Sequence, residues 1–429
     1  MSGWSECMGQ QEQTTCPLQE PPLPSERMYA TEPKAPAGEA AQPESDHLSV
    51  SRSFTCRCGQ PIFFRNSVCL ACKTPLGYDP QNHQLIPLEH AIVDDENNND
   101  LTSVPLWQCA EPTQAVQRYA RCENLAKAAA CNWLIPLDVA SSPARTLCLS
   151  CRLTRQIPDL GVPSHPAWWG RIETAKRRML SSLLGLRLPV VPLADDPEKG
   201  LAFDILTSTA SAEVVTGHED GVITLDAQEA DDPTREQRRT QLFEPYRTLL
   251  GHLRHEIGHY YWRRLVEHTD WLEAFRDEFG DERADYASAL KKHYSDGATP
   301  DWSLNHVSAY ASCHPWEDWA ETWAHYLHMT DTLDTAKSFG LRSDGLELVI
   351  QPFSAAILGP SYPPSGDFLN LLNQWMQITG VLNELSRSMG VPDFYPFVLS
   401  APAVRKLHLV HEIIGSADAR WNPDGGYLL

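Results

Sequence analysis

The sequence predicts an α+β fold, in which a cysteine-rich N-terminal module is followed by a mainly helical domain with a small sheet. Two observations support this prediction. Eight of the 12 cysteines fall into two groups before residue 152, whereas apolar residues recur at helical spacing after residue 166. Three strand candidates, at 201–207, 212–216 and 221–227, interrupt the helical part.

The bulk properties exclude several classes of protein. The chain has 429 residues, which favours two or three domains, and a net charge of −21. This acidity argues against broad nucleic-acid binding, which depends on cationic surface. No apolar run reaches about 18 residues, so we expect no membrane span. The start, MSGWSECMGQQEQ, lacks the basic and apolar regions of a signal peptide, so we expect a cytoplasmic protein.

Composition divides the chain into four segments. Residues 1–50 are rich in Pro, Glu, Gln, Ser and Ala, which predicts a disordered arm. Residues 54–160 form the cysteine-rich module, residues 166–415 the helical domain and residues 416–429 a tail. The module has few apolar residues for a core of its own, so we expect metal ions to hold it together.

Within the helical domain, turn and helix signals can be placed around the strand candidates. The segment GHEDG at 217–221 is typical of a turn between two strands. A long helical region is predicted from Pro233 to Glu267, and further helices are predicted at 367–389 and 402–414.

The first cysteine group consists of two close pairs separated by ten residues. Four thiolates in such an arrangement suit a tetrahedral zinc ion, although the first pair has one intervening residue instead of the usual two. A redox dithiol would need an environment that shifts the pKa of a thiol, and no such setting is visible. We therefore predict a structural zinc site formed by Cys56, Cys58, Cys69 and Cys72.

The second cysteine group is less regular. Cys148 and Cys151 form a CxxC pair, and Cys122 and Cys131 are predicted to complete the set. Cys122 and Cys131 have eight residues between them, and Cys109 could replace Cys122. One or two structural zinc ions are therefore expected.

The segment HEIGH at 255–259 predicts a further metal site of a different kind. On a helix, His255 and His259 share a face and can bind one cation, and Glu256 lies beside that face. Zinc lowers the pKa of a bound water molecule toward ~7, and a nearby carboxylate can accept its proton. This is the arrangement of the HExxH motif. His252, one turn earlier, is expected to be a core residue or to support the site.

A catalytic zinc ion with two histidines still needs a third protein ligand. The segment HPWEDWAETWAHYLH at 314–328 supplies candidates, because Glu317 and Glu321 share one helical face. Asp318 points about 100° away and is expected to be a bystander. We predict Glu317 as the ligand and Glu321 as the hydrogen-bond acceptor that orients a liganding histidine.

An alternative to Glu317 lies between the HEIGH segment and this one. Glu282 or Asp285 could supply the third ligand instead, since any carboxylate could fill the position. The tryptophans of the segment are expected to lie in the core.

The chain resembles a bacterial family of zinc-binding metallopeptidases with an N-terminal zinc-ribbon segment. The matching phrases span about 54–415 and are CNWL, CRLTRQIPDL, TGHEDGVITLDAQEADD, EPYRTLLGHLRHEIGHYYW, HPWEDWAETWAHYLH and RSMGVPDFYPFVLS. This resemblance implies a zinc-ribbon module followed by a peptidase domain.

The same residues also resemble the gluzincin peptidases, in which a tyrosine and a glutamate-bearing helix follow HExxH. The resemblance implies Glu317 as third ligand, Glu321 as its support and Tyr310 as a hydrogen-bond donor to the transition state. Tyr310 could equally be a half-buried aromatic residue at the start of a helix. A zincin-like domain with a small mixed sheet is also implied, with the strand at 221–227 as the edge that binds substrate.

We therefore expect a zinc-dependent peptidase of gluzincin type, with one catalytic zinc ion and a peptide or protein substrate. Glu256 would activate the zinc-bound water, and no covalent intermediate would form. The first alternative is a non-enzymatic zinc-ribbon interaction protein whose peptidase-like domain serves as a scaffold. The second alternative is a zinc hydrolase that acts on a non-peptide amide.

Overall fold

The computed structural model describes residues 50–91, 105–111, 117–137, 146–209, 212–241, 248–348, 350–358, 365–418, 421–422 and 426–427. The arm predicted at 1–50 lies outside the described residues except for Val50. The described residues belong to one compact unit, residues 46–429. The predicted α+β fold class is confirmed, since a cysteine-bearing β region precedes a mostly helical region with a small sheet.

The cysteine-bearing region contains a hairpin and a five-stranded antiparallel sheet. The hairpin pairs β1 with β2, and the sheet has the order β3-β4-β5-β6-β7. The elements are β1 Ser53–Thr55, β2 Pro61–Phe63, β3 Leu76–Asp79, β4 Gln84–His90, β5 Trp107–Cys109, β6 Arg118–Arg121, β7 Leu134–Leu137, α1 Leu149–Arg152 and β8 Thr154–Gln156.

The remaining elements are mostly helices. They are α2 His165–Gly185, β9 Ala202–Leu206, β10 Gly217–Glu219, β11 Val222–Asp226, α3 Asp232–Gln241, α4 Leu249–Leu265, α5 Trp271–Phe279, α6 Tyr286–Asp296, α7 Trp302–Asn305, α8 Pro315–Ser338, α9 Gly366–Ser388, α10 Ala401–Asp418, β12 Trp421–Asn422 and β13 Gly426–Tyr427. Among the described helices, none is long and apolar enough to cross a membrane.

The small sheet of the helical region is mixed and has the order β10-β11-β9-β8. β9 pairs in parallel with both β8 and β11, and β10 is antiparallel to β11. The strands predicted at 201–207 and 221–227 are confirmed as β9 and β11. Because β8 comes from the cysteine-bearing region, this sheet joins the two regions of the chain.

Two details of this sheet differ from the sequence prediction. The strand predicted at 212–216 is wrong, because the strand is β10, within the segment that was predicted to be a turn. The turn is only two residues, Asp220 and Gly221, both with positive φ, as a tight hairpin requires. A Cβ on Gly221 would lie 2.3 Å from the carbonyl oxygen of Gly200, so the position needs glycine. β10 is therefore the edge strand on this side of the sheet, opposite the other edge strand β8, and β11 is paired on both sides.

Helices α4 and α8 pack closely against each other in the core. A Cβ added to Gly258 of α4 would lie 3.0 Å from the Cα of Ala320 in α8, so a larger residue would push the helices apart. The indole of Trp319 donates a hydrogen bond to the Gly258 carbonyl at 2.8 Å. This contact sets the distance between the two helices that carry the candidate site residues.

A buried carboxylate ties the N-terminal region to these helices. Asp331 of α8 pairs with Arg254 of α4 at 2.6 Å and with Arg178 of α2 at 2.8 Å. Arg52, which directly precedes β1, contacts the same carboxylate at 2.8 Å. Burial opposes ionisation, but the three arginines hold the pKa of Asp331 well below its usual value. Breaking one of these buried pairs would leave an uncompensated charge, so the ion pairs of Asp331 oppose separation of α2, α4 and α8.

Candidate metal centres

Helix α4 begins where the sequence supplies a cap. The hydroxyl of Thr248 accepts a hydrogen bond from the Gly251 amide at 2.9 Å, which satisfies one free donor of the first turn. The helix then buries His255, Glu256 and His259 among apolar neighbours. Buried imidazoles and carboxylates need polar partners or a metal ion.

Glu317 of α8 supplies a carboxylate next to the two histidines. The Nε2 atoms of His255 and His259 are 3.2 Å apart, and Glu317 Oε2 lies 2.9 Å from the first and 3.6 Å from the second. Zinc–nitrogen and zinc–oxygen bonds of about 2.0–2.1 Å in a tetrahedron place ligand atoms about 3.3 Å apart. The three atoms therefore have the spacing of three corners around a zinc ion.

The hydrogen-bond pattern of Glu317 is also consistent with a metal ligand. Its Oε2 atom is buried and accepts no hydrogen bond from the part of the chain that the structure describes. Burial opposes ionisation of this side chain, but His259 and His255 together lower its pKa well below the usual value. A buried, ionised oxygen that faces two imidazoles fits a divalent cation.

Glu321 lies on the far side of His255, where the sequence prediction placed it. The Nδ1 atom of His255 is 2.8 Å from Glu321 Oε1, and the hydroxyl of Ser308 donates to Glu321 Oε2 at 2.6 Å. Burial disfavours a charged His255, but Glu317 and Glu321 raise the pKa of its ring. With its Nδ1–H engaged by a carboxylate, His255 presents Nε2 to Glu317 and His259.

The two predicted catalytic side chains lie beside these residues. Glu256 is buried, with one carboxylate oxygen 3.7 Å from Nε2 of His252. Tyr310 begins a 3-10 helix, Tyr310–Cys313, and its ring centroid is 5.9 Å from that of His255. Burial and the charge of Glu317 raise the pKa of Tyr310, so its hydroxyl stays protonated and can donate a hydrogen bond.

The two cysteine groups each bring four sulfur atoms within 4.8 Å of one another. Sulfur–sulfur distances are 3.6 Å for Cys56–Cys72, 3.7 Å for Cys58–Cys69 and 3.5 Å for Cys131–Cys148. Zinc–sulfur bonds of about 2.3 Å in a tetrahedron give about 3.8 Å, whereas a disulfide requires about 2.05 Å. The sulfur positions thus fit zinc sites and exclude disulfides.

The groups differ in their members' exposure. In the first, Cys58 and Cys72 are exposed, whereas all four cysteines of the second are buried. The second group contains Cys122 together with Cys131, Cys148 and Cys151, and Cys109 lies apart from it in β5. Cys122 and Cys148 each directly precede a short helix, so local turns direct their sulfurs inward.

Comparisons with known proteins agree with this geometry. A family model described as "Putative zinc-binding metallo-peptidase" matches residues 165–413, and a zinc-ribbon domain model matches residues 53–162. The chain belongs to this metallo-peptidase family. Family membership and the two cysteine groups support zinc binding by the chain.

Relatives of this chain occur in mycobacteria. An uncharacterized protein of Mycobacterium tuberculosis strain H37Rv is 42% identical over 374 residues, which cover 87% of this chain and 98% of the relative. Uncharacterized proteins of M. tuberculosis strain CDC 1551 and of Mycobacterium bovis are similar to the same extent. No solved structure matches the chain significantly.

The other acids considered from the sequence have separate partners in the structure. Asp318 lies apart from the two histidines, because it is buried and pairs with Lys406 of α10 at 2.6 Å. Glu282 pairs with Arg276, and Asp285 caps α6 by accepting a hydrogen bond from Ser288. Only Glu317 joins the two histidines in the described residues.

Tyr286 is a site residue that the sequence did not reveal. Its hydroxyl donates a hydrogen bond to Glu317 Oε1 at 2.7 Å, leaving Oε2 directed at the histidines. Burial and the charge of Glu317 raise the pKa of this tyrosine, so the hydroxyl remains a donor. The contact spans 31 residues of sequence, and no local pattern signals it.

Trp316 is the second such residue. It packs against the core, as predicted for the tryptophans of α8, but it also contacts a proposed metal ligand. Trp319 and Trp323 are fully buried, but Trp316 is only partly buried and stacks on His259 with ring centroids 4.9 Å apart. Within the described chain, Nδ1 of His259 has no hydrogen-bond partner. The stacked indole therefore orients this imidazole together with the ring of His255, whose centroid is also 4.9 Å away.

Proposed function

We propose that the chain is a zinc-dependent peptidase of gluzincin type. His255, His259 and Glu317 would hold the catalytic zinc ion, and the two cysteine groups would hold structural zinc ions. The single observation that carries the proposal is the buried Oε2 atom of Glu317. It accepts no hydrogen bond from the described residues and completes a triangle with two imidazole nitrogens at tetrahedral spacing.

The surrounding residues can perform peptide hydrolysis. When bound, zinc would lower the pKa of a water molecule and polarise the peptide carbonyl. Glu256 would accept the proton as the water oxygen bonds to the carbonyl carbon, and would deliver it to the leaving amine nitrogen as the carbon–nitrogen bond breaks. The protonated hydroxyl of Tyr310 would donate a hydrogen bond to the oxyanion.

A substrate strand would bind along β10. This edge strand lies against α4, since the rings of His218 and Tyr260 are 6.1 Å apart, edge to face. An extended peptide can add to a free sheet edge through main-chain hydrogen bonds. In the described chain β10 pairs only with β11, which supports a peptide or protein substrate over a non-peptide amide.

Metal counting tests the proposal directly. The purified protein is expected to hold three zinc ions and to cleave members of a peptide library, and Glu317→Ala is expected to hold two ions and to cleave none. Zinc content is measured by atomic emission spectrometry, and cleavage by mass spectrometry. Two ions in both proteins, with no cleavage by either, would favour the interaction-protein alternative.

Removing the Tyr286 hydroxyl is expected to weaken the catalytic metal site without destroying it. In Tyr286→Phe, Glu317 loses the hydrogen bond that fixes its orientation, and groups that orient metal ligands typically contribute 10- to 100-fold to affinity. We expect about tenfold weaker binding of the third zinc ion, measured by competition with a chelator.

A matched control for this variant is available in the N-terminal region. The hydroxyl of Tyr119 donates to the Asp79 carboxylate at 2.9 Å, the same kind of bond at a place without metal ligands. Tyr119→Phe should leave the affinity for the third ion unchanged. Equal affinities of all three proteins would refute the orienting role of Tyr286.

A further inference from the structure

A continuous series of aromatic rings leads from the surface to the candidate catalytic site. The ring centroids of Tyr294 and His293 in α6 are 5.8 Å apart, and those of His293 and Tyr310 are 5.7 Å apart. Tyr310 in turn lies 5.9 Å from His255. We call Tyr294, His293 and Tyr310 the aromatic wall. Its inner end touches a residue proposed to bind the catalytic zinc ion.

The outer part of the wall is exposed to solvent. Tyr294 is 59% exposed, and α6 has no buried residue at all. Tyr286, at the start of the same helix, is 41% exposed although its hydroxyl contacts Glu317. Large apolar surface beside a functional site is informative because it gains from being covered by a ligand.

We propose that the aromatic wall is a specificity subsite that binds an aromatic side chain of the peptide next to the cleaved bond. This inference rests on the proposed peptidase function and specifies its substrate class. The rings of the wall meet one another edge to face, and a further aromatic ring can continue this geometry. A peptide with alanine at this position would leave the exposed face of Tyr294 in water.

Hydroxamate binding tests the subsite independently of catalysis, because hydroxamates bind zinc directly. The probes are N-acetyl-phenylalanine hydroxamate and N-acetyl-alanine hydroxamate, titrated into zinc-loaded Glu256→Gln protein by calorimetry. We expect the phenylalanine compound to bind about tenfold more tightly or better. This ratio should fall about tenfold in the double variant that also carries Tyr294→Ala.

Two further variants make the result specific. Tyr294→Phe keeps the ring and should keep the preference. Phe339→Ala removes an aromatic side chain that is 56% exposed at the far end of α8, and should also keep it. Equal binding of the two hydroxamates, or a ratio unaffected by Tyr294→Ala, would overturn the subsite alone. Binding of neither hydroxamate would overturn the proposed catalytic zinc site and the subsite with it.

Discussion

Glu256→Gln is expected to keep all three zinc ions and to lower kcat/KM for peptide cleavage by about a thousandfold. Glutamine has the shape of glutamate but cannot accept a proton at neutral pH. The proposed ligands His255, His259 and Glu317 are untouched, so metal binding should remain. Glu256 is buried, and Nε2 of His252 lies 3.7 Å from its carboxylate.

The measurement compares cleavage rates and zinc content in the same preparations. Glu267→Gln is the matched control, because Glu267 lies just beyond the end of α4 and pairs only loosely with Arg263, at 3.5 Å. This control should cleave at the rate of the unmodified protein. Undiminished cleavage by Glu256→Gln would show that another residue is the base.

The sequence was most informative where the site depends on local geometry. The spacing of His255 and His259 places two imidazoles on one face of any helix, and the same argument pairs Glu317 with Glu321. The structure brings these four residues together from two packed helices. What the sequence could not supply is the packing of α4 on α8, which brings Glu317, and not Glu282 or Asp285, to the histidines.

Long-range contacts account for the residues that the sequence missed. Tyr286 donates its hydrogen bond to Glu317 from a separate helix. The ion-pair partner of Asp318, Lys406, lies 88 residues away in the sequence. Trp316 follows an ordinary amphipathic pattern, so only the position of His259 distinguishes it from a core tryptophan. The misplaced strand has a local cause: Asp220 and Gly221 alone make the turn, and the preceding residues were free to pair.

The two cysteine groups are not an appendage of the helical domain. Buried side chains from both groups, from α2 and from α4 and α8 belong to one continuous core. Arg52 from the cysteine-rich region pairs with Asp331, and Asp331 also pairs with Arg254. Arg254 directly precedes the proposed metal ligand His255 in the sequence. Loss of a structural zinc ion should therefore affect more than the cysteine-rich region.

Cys131→Ser is accordingly expected to lose one zinc ion and much of the stability of the whole unit. Cys131 is fully buried in the core, and its sulfur lies 3.5 Å from that of Cys148. Structural zinc contributes roughly 10–16 kcal/mol of binding free energy in small zinc-dependent domains, as large as the total stability of an ordinary domain. The variant should show a far-UV circular dichroism signal and a urea midpoint well below those of the unmodified protein.

Two other cysteines separate the contribution of zinc from that of the thiol itself. Cys109→Ser changes a half-buried cysteine outside both groups and should retain three ions and the original urea midpoint. Cys58→Ser removes an exposed member of the first group and should lose one ion with a smaller decrease in stability, because fewer core contacts depend on it. If Cys131→Ser unfolds at the same urea concentration as Cys109→Ser, zinc in the second group does not stabilise the fold. The decrease in stability is expected to be largest for Cys131→Ser, smaller for Cys58→Ser and absent for Cys109→Ser. This order follows from burial and group membership and not from residue type, since all three variants replace a sulfur atom with oxygen.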